Sequence, residues 1–315
     1  MMLIFRAAYG SRGVPHATAV FGSGLVGGAI IRALHWQDDC VSTHFPLHWT
    51  DPRARQADLA RIGAALRDLP PATALDIVWA AGRTGFACTE DEVSDERAAF
   101  TDLMNWAQYL SQSPHVRLLN LHVVSSAGGL FEGQRFVGAD SLPRPLRPYG
   151  VLKLEQEDIA RKACEAVPVH IYRPSSVYGL GGANGRSGLV NTLIMNAKTH
   201  TSSRIFGGLD TIRDYVLAAD IGRFIAAQIG VTHSHAKTHL LASGKPAALG
   251  EVLSIIYRVV GRPLLIKLDP VPSNANHITF RTSALSDGWA PTDIETGIRQ
   301  VMRQLSKIFE AAQHG

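Results

Sequence analysis

The sequence is poor in cysteine and lacks long apolar runs. Its three cysteines, Cys40, Cys88 and Cys164, lie far apart in a chain of 315 residues. This spacing provides neither a disulfide framework nor a metal-binding knuckle, so we expect a protein without a metal site in a reducing, cytoplasmic compartment. The first apolar stretch is interrupted by Arg6 and is too short for a signal peptide or a membrane span, which predicts no membrane association.

The sequence also lacks dense clusters of one charge. The formal net charge is only +4, and no basic tract is dense enough to predict binding to nucleic acid. We find no internal repeat and no low-complexity segment. With 46% hydrophobic residues, the composition is typical of a globular protein with one large or two modest domains.

A dinucleotide-binding fingerprint is present near the start of the chain. A short apolar strand ends at Phe21, a glycine-rich segment follows, and apolar residues then recur at helical spacing. Gly22 permits a tight turn, Gly24 lets a pyrophosphate approach the backbone, and Gly27 lets helix and strand pack closely. The N-terminus of the helix then faces the phosphates with unpaired N–H groups. The predicted nucleotide-binding turn consists of Gly22, Ser23, Gly24, Leu25, Val26 and Gly27.

A second motif pairs Tyr149 with Lys153, downstream of a predicted strand that ends in Ser125 and Ser126. Four residues are about one helical turn, so the phenol and the ammonium share one face of a helix. A lysine beside a tyrosine favours the phenolate, which suits general acid–base chemistry. The spacing alone is common on solvated helices, and it gains significance here from the glycine-rich turn.

Strands and helices alternate through the first part of the chain, which predicts an α/β fold with a Rossmann doubly wound parallel sheet. Strands are predicted at 17–21, 41–49, 74–80, 118–124 and 167–172. Helices or turns are predicted at 52–66, 90–113 and 149–166. Residues 1–15 precede the first predicted strand, and we expect them to be loosely ordered.

The sequence becomes glycine-rich at residues 179–188, which is typical either of a flexible linker or of a loop that folds over a ligand. Further helices are predicted at 189–198, 219–229, 249–260 and 292–312. We expect residues 16–178, together with about 211–242, to form the dinucleotide-binding domain. Residues 179–210 and 243–315 would form a smaller α/β substrate-binding region.

In this order, the motifs resemble those of the extended short-chain dehydrogenase/reductases, the family of NAD-dependent nucleotide-sugar epimerases and dehydratases. The resemblance spans about residues 18–308. Besides the two motifs above, its marks are the segments 77–81, 124–127, 172–179, 213–216 and 288–291. The resemblance implies a Rossmann fold, NAD or NADP as the cofactor, and a nucleotide-sugar as the small-molecule substrate.

The resemblance also implies roles for individual residues. Ser126, favoured over Ser125, would hydrogen-bond the substrate oxygen at the reacting carbon. Tyr149 would be the acid–base residue, and Lys153 would hold the nicotinamide ribose and stabilise the phenolate. The other cofactor-binding residues would be Ala80, Ala81, Gly82, Pro174 and Ser176, with Asp58 at the adenine edge. The substrate-binding residues would be Asn191, Arg213 and Arg281, of which Arg213 has a guanidinium fork suited to a diphosphate.

The sequence departs from the family pattern at two points of the cofactor site. Phe21 occupies the position of the first fingerprint glycine. The second strand lacks the acidic residue that binds the adenosine ribose, and the nearest acid is Asp51, followed by Arg53 and Arg55. Either the arginines accommodate a 2′-phosphate, or Asp51 opens a helix and the arginines are exposed. The sequence therefore leaves NAD and NADP both open.

Dehydratases of the family carry an acidic pair after the catalytic serine or threonine, and residues 127–131 contain none. Gly128 and Gly129 either leave room for a sugar ring to turn over or form a turn without a steric role. We predict an enzyme, an NAD(P)-dependent oxidoreductase or isomerase that epimerises a nucleotide-sugar through a transient keto intermediate. A nucleotide-sugar 4-ketoreductase uses the same residues and is the alternative. A non-catalytic dinucleotide-binding regulator is disfavoured, because both catalytic side chains are present.

The resemblance further implies a homodimer, built through the helices predicted at 90–113 and 149–166. Phe100, Met104 and Leu110 form an apolar face on the first of these helices. This face fits a dimer interface, and it fits packing against the sheet equally well.

Overall fold

The computed structural model describes residues 1–9, 13–36, 40–85, 88–163, 167–181, 188–269, 271, 274 and 276–313. The strands are β1 (Met2–Tyr9), β2 (Val14–Phe21), β3 (Val41–His44), β4 (Thr73–Trp79), β5 (Val116–Val124), β6 (Val169–Pro174), β7 (Ser176–Tyr178), β8 (Ser203–Ile205), β9 (Ile212–Arg213), β10 (Tyr215–Leu217), β11 (Lys237–Leu241), β12 (Ala247–Ala248) and β13 (Ile266–Leu268). The helices are α1 (Leu25–His35), α2 (Pro52–Arg67), α3 (Glu90–Ser111), α4 (Ala127–Leu130), α5 (Pro148–Ala163), α6 (Leu189–Lys198), α7 (Ala218–Ala226), α8 (Leu249–Val260) and α9 (Ile294–Gln313).

Seven strands of the described chain form one sheet in the order β11-β6-β5-β4-β2-β1-β3. The pairs from β2 through β4, β5 and β6 to β11 are all parallel. Every residue of β4 is buried, because helices cover both faces of the sheet. Helices α1 and α7 pack on one face, and α2, α3 and α5 pack on the other. The predicted Rossmann architecture is confirmed.

The expectation that the first residues are loosely ordered is wrong. Residues expected to be loosely ordered form β1, which lies antiparallel between β2 and β3. Leu3 and Ile4 are buried there, and Arg6 is buried with its guanidinium donating to the carbonyl of Leu34. Because a charged residue interrupts the apolar run, the sequence did not predict a core strand. The inserted strand displaces β3, which also ends at His44, earlier than predicted.

The later helices pack around an apolar cluster of their own. Helices α6, α8 and α9 contribute Val190, Ile194, Val252, Ile256, Ile298 and Val301. The predicted helices 189–198 and 249–260 are confirmed, and α9 begins at Ile294 after Asp293, whose carboxylate accepts from the Thr296 N–H at 3.0 Å. Residues 182–187 of the predicted glycine-rich loop, and Cys164, lie outside the described residues.

Packing against the sheet accounts for the apolar face of α3. Phe100, Met104 and Leu110 are all buried in the core cluster on that side of the sheet. These three side chains are therefore not available for an interface between two copies of the chain. Over the described ranges, no helix has both the length and the apolar character needed to cross a bilayer.

Candidate active site

A cleft of about 1370 Å³ runs along the carboxyl edge of the parallel strands. The segments that follow β2, β4, β5 and β6 all line it, as expected for a ligand site in an open α/β sheet. The lining includes predicted cofactor and catalytic residues, namely Gly22, Ser23, Gly24, Leu25, Val26, Ala80, Ala81, Gly82, Ser126, Tyr149, Lys153, Pro174 and Ser176.

The three predicted roles of the glycine turn agree with its geometry. Gly22 has φ +103°, and a Cβ there would lie 2.5 Å from the carbonyl oxygen of Ala80. A Cβ on Gly27 would collide with the Gly22 carbonyl. A Cβ on Gly24, by contrast, would meet no atom within 4 Å, so the backbone is open to a ligand there. Gly24 precedes α1 without a side-chain cap, which leaves N–H groups to bind a phosphate. This turn fits a dinucleotide.

The end of the cleft beside β3, where the resemblance implies that the adenosine binds, differs from the family pattern. Its lining consists of His44, Pro46, Leu47, Trp49 and Thr50. Asp51 is the N-cap of α2 and accepts from the N–H groups of Arg53 and Ala54 at 2.9 and 3.1 Å. This agrees with the interpretation in which the acid opens a helix.

Neither of the two arginines lines the cleft. Arg53 is exposed, whereas Arg55 is buried and donates to Asp102 and to the Trp49 carbonyl at 2.7 and 2.6 Å. Asp58, the predicted adenine-edge residue, is also outside the lining. Its carboxylate accepts from the backbone N–H of His48 at 2.8 Å and from Arg61 at 2.7 Å.

The two serines after β5 have different partners. The Ser125 hydroxyl donates to the buried carboxylate of Glu157 at 2.6 Å. The Ser126 hydroxyl accepts from the Gly129 N–H at 3.0 Å, which caps α4. A hydroxyl that accepts in this way retains its own O–H to donate to a substrate. The geometry therefore supports the predicted choice of Ser126.

Tyr149 and Lys153 lie on one face of α5, as their spacing predicts. The ammonium is 5.7 Å from the centroid of the phenol ring, and both side chains line the cleft. The ring lies against Gly129, where a Cβ would be 2.9 Å from Cε1 and 3.0 Å from Cδ1 of Tyr149. Gly129 thus makes room for the tyrosine, whereas Gly128 lines the cleft.

Glu96 is a site residue that the sequence analysis missed. Its carboxylate is buried and accepts from Lys153 Nζ at 3.0 Å. Burial raises the pKa of Glu96, but the Lys153 ammonium and the bonds from Thr84 outweigh it and hold the pKa below its usual value. Its position in the sequence could have identified it, because Glu96 is a charged residue within the apolar stripe of a predicted helix.

The far end of the cleft is basic. Arg213 lines it, and its Nη1 has no hydrogen-bond partner within the described part of the chain. Arg147, which the sequence analysis did not single out, also lines the cleft and binds the Glu132 carboxylate at 2.8 Å. Asn274 links the two arginines, through its side chain to Arg147 at 3.0 Å and through its carbonyl to Arg213 at 3.4 Å.

The other two predicted substrate residues lie outside the cleft lining. Asn191 is buried, and its amide donates to the Gly179 carbonyl at 2.5 Å. Arg281 is exposed beside Gly138. Among the residues that the structure describes, no three His, Cys, Asp or Glu side chains are grouped to hold a metal ion.

The parallel sheet, the open glycine turn and the cleft together define a dinucleotide-binding protein of the Rossmann class. The family model for the NAD dependent epimerase/dehydratase family matches residues 22–234, which is more than half of the chain. The protein belongs to this family.

One relative is a Methanocaldococcus jannaschii protein named "Putative UDP-glucose 4-epimerase", 26% identical over 189 residues. The match covers 57% of this chain and 61% of the length of that relative.

Two solved structures are similar over nearly the whole chain. The UDP-glucose 4-epimerase of Thermotoga maritima, with UDP-glucose, has a TM-score of 0.74 at 15% identity and covers 93% of this chain and 99% of its own. The UDP-glucuronic acid 4-epimerase of Bacillus cereus, with UDP-glucuronic acid and NAD, has a TM-score of 0.68 at 18% identity. This match covers 91% of this chain and 99% of the Bacillus cereus chain. At these identities the likeness shows the fold.

Proposed function

We propose that this protein is an NAD-dependent epimerase that acts on a nucleotide-activated sugar. One observation carries the proposal: Ser126, Tyr149 and Lys153 meet in the same cleft as an open glycine turn. Family membership and the NAD-bound Bacillus cereus structure support the choice of cofactor. The adenosine end supports NAD over NADP, because neither Arg53 nor Arg55 lines it.

The side chains suggest a division of work. Gly22, Gly24 and the N-terminus of α1 would bind the pyrophosphate of the cofactor, and Lys153 its nicotinamide ribose. When bound there, NAD would supply the hydride acceptor for the sugar carbon and, in its reduced form, the hydride donor. Tyr149 would take the proton of the sugar hydroxyl during oxidation and give it back during reduction. The Ser126 hydroxyl would donate to the reacting oxygen and hold it near the phenol.

Arg213 supports a substrate with an anionic group. Burial lowers the pKa of this guanidinium, yet it stays charged, because an arginine pKa lies far above neutrality. A partly buried cation that lines a cleft, and whose Nη1 has no hydrogen-bond partner among the described residues, is suited to a diphosphate oxygen. Nucleotide-sugars carry this group between the base and the sugar.

Glu132 disfavours a dehydratase. It is the first carboxylate after Ser126, and a dehydratase needs an acidic group to shuttle protons for water loss. Here both Glu132 oxygens accept from Arg147, at 2.8 Å each. A carboxylate whose two oxygens are both held by one guanidinium is fixed in place and is not free to move a proton to or from a substrate.

Incubation of the purified protein with UDP-glucose or UDP-glucuronic acid, with no cofactor added, tests the proposal. Nuclear magnetic resonance should show the 4-epimer of one sugar forming to equilibrium. Oxidation to a 4-keto sugar that requires added NAD in stoichiometric amount, and that releases reduced nicotinamide, would instead identify the 4-ketoreductase running in reverse. No turnover of either sugar under both conditions would contradict a role on these substrates.

We also propose that the protein is cytoplasmic and forms a homodimer through α3 and α5. Cys40 and Cys88 are free, which supports a reducing compartment. The outer surfaces of the two helices include the exposed Tyr109 and Val151, which an interface would cover. Sedimentation of the wild type and of the Val151→Glu variant tests the dimer, because a charge in the interface should yield monomers.

A further inference from the structure

We propose that Glu96 is a positioning residue of the active site, which holds the Lys153 ammonium in place and connects it to the loop that follows β4. Its catalytic consequence rests on the function proposed above. The contacts themselves do not depend on that function, because they are made within the chain.

One carboxylate oxygen of Glu96 accounts for the position of the lysine. Glu96 Oε1 accepts from Lys153 Nζ at 3.0 Å and from Gln156 Nε2 at 3.1 Å, while Gln156 Oε1 accepts from the same ammonium at 2.9 Å. An ammonium has three N–H donors. Two of them are therefore directed to Glu96 and Gln156, and one remains to face the cleft and a ribose hydroxyl.

The other oxygen of Glu96 holds the loop. Glu96 Oε2 accepts from the backbone N–H groups of Arg83 and Thr84 at 3.0 and 3.1 Å and from the Thr84 hydroxyl at 2.7 Å. Ala80, Ala81 and Gly82 of the same segment line the cofactor cleft. A single side chain on α3 thus bridges the lysine on α5 and the loop that would contact the cofactor.

The charge of Glu96 also keeps the lysine ionised. Burial lowers the pKa of Lys153, but Glu96, with a smaller contribution from Tyr149, outweighs burial and leaves the pKa above its usual value. The other charged side chains that line this part of the cleft are Glu92 and Asp95 on α3 and Arg83 in the loop. Among Glu92, Asp95 and Glu96, it is Glu96 that accepts a hydrogen bond from the ammonium.

A second ion pair between the same two helices provides a matched comparison. Arg97 on α3 donates to Glu155 on α5 at 2.8 Å, and both side chains are about 40% exposed. Loss of this pair removes a contact between α3 and α5 without removing any partner of Lys153 or of the loop after β4, so it is the control for a helix–helix contact alone. A solvated pair of this kind contributes little to stability.

Competitive acetylation of the full-length protein with acetic anhydride, followed across pH by peptide mass spectrometry, tests the role of Glu96. In the Glu96→Gln variant, we expect the pH midpoint for modification of Lys153 to fall by about one unit or more, because the buried ammonium loses its counterion. In the Glu155→Gln control, the midpoint should stay at the wild-type value. Hydrogen exchange at Arg83 and Thr84 should accelerate by about tenfold or more in Glu96→Gln only.

The Glu96→Asp variant provides a second measurement if the glutamine variant fails to fold. It retains the charge, so the Lys153 midpoint should stay close to the wild-type value, but its shorter side chain should release the loop amides. A Lys153 midpoint and loop exchange unchanged in Glu96→Gln would overturn the inference. If the Lys153 midpoint shifts in Glu96→Gln but the wild-type protein turns over no nucleotide-sugar, the proposed function is contradicted and the positioning role of Glu96 is supported.

Discussion

Two buried carboxylates in this protein have similar surroundings and serve different purposes. Glu96 and its partners, Lys153, Gln156 and Thr84, form what we term the cleft network, which borders the active-site cleft. Asp76 lies in the middle of β4 and is fully buried within the sheet. We term Asp76 and its partners the sealed network, because none of its members lines the cleft.

The sealed network is built from residues of neighbouring strands. The Asp76 carboxylate accepts four hydrogen bonds of 2.7 to 3.0 Å. The donors are His16 Nε2, Asn120 Nδ2, His122 Nε2 and the Gly230 N–H. His122 Nδ1 and the Tyr172 hydroxyl are 2.8 Å apart. Burial would raise the pKa of Asp76, yet the bonds from the two histidines hold it well below its usual value.

The comparison shows that location, and not the type of group, decides what a buried carboxylate does. Both carboxylates are satisfied by several donors, as buried charges must be. Glu96 acts on a lysine that can reach a ligand, so its loss should alter binding and chemistry. Asp76 has no access to a ligand, so its loss should alter the free energy of unfolding.

The largest effect should come from Tyr149→Phe, which removes the hydroxyl that we propose as the acid–base group of the cleft. General acid–base catalysis contributes about 10² to 10⁴-fold, so sugar turnover should fall by about that factor. NAD affinity, measured by titration calorimetry, should change little, because the ring and Lys153 remain. A variant that retains wild-type turnover would contradict the role of Tyr149.

Asp76→Asn should show the converse behaviour. Breaking a buried, hydrogen-bonded charge network by changing one partner costs about 3 to 5 kcal/mol, which urea unfolding would measure as a lower midpoint. The exposed Asp158, paired with Arg161, offers the control, because Asp158→Asn should cost less than about 1 kcal/mol. Equal losses in the two variants would mean that the sealed network contributes no special stability.

Gly129→Ala should disturb the cleft without unfolding the protein. The new methyl group would lie 2.9 Å from the ring of Tyr149, so the ring must move. A displacement of about 1 Å in a catalytic group can cost about 10²-fold in rate, and we expect a loss of about 10- to 100-fold in turnover. Gly63→Ala is the control, because its nearest neighbour would be at 3.6 Å. Unchanged turnover in Gly129→Ala would show that the ring position is not critical.

Acid should destabilise the folded protein over a predictable pH range, because two histidines of the sheet, His170 and His239, are buried. Burial lowers the pKa of His170 to about 3 and that of His239 to about 4, and their ring nitrogens have no partner within the described chain. As pH falls below about 6.5, the unfolded chain binds protons that the folded chain does not. Stability should therefore be complete above about pH 6.5 and decline below it, by at most about 1.4 kcal/mol per pH unit for each imidazole.

Urea unfolding between pH 7 and pH 5, above the range in which carboxylates such as Glu96 and Asp76 take up protons in the unfolded chain, measures this decline. His170→Phe retains a ring in the stack with His122 and removes one titrating group, so the slope should fall to about half. A wild-type stability that is flat over this range would contradict the assignment of buried, neutral imidazoles.

Sequence patterns predicted much of the fold and part of the site. Apolar periodicity and the glycine turn were sufficient for the parallel strands and their helices, because these features depend on local residues. Spacing and resemblance also predicted Ser126, Tyr149 and Lys153 as site residues, and all three line the cleft. Strand β1 was missed because it is stabilised by pairing with β2 and β3, a tertiary interaction that its short apolar run does not predict.

The remaining site residues required three-dimensional information. Glu96 and Lys153 are far apart in the chain and meet only because α3 and α5 pack side by side. The same holds for Arg147 and Asn274, which meet at the far end of the cleft. Asp58, Asn191 and Arg281 were predicted by resemblance alone, and the structure places them outside the cleft lining.

The most direct measurement is a mass spectrum of the small molecules released when the purified protein is unfolded, compared between the wild type and Gly24→Phe. The phenyl ring would fill the open space beside the glycine turn. We predict that NAD is released from the wild type and not from the variant. A wild type that releases no NAD and binds none when it is added, or a variant that carries as much NAD as the wild type, would contradict dinucleotide binding at this turn.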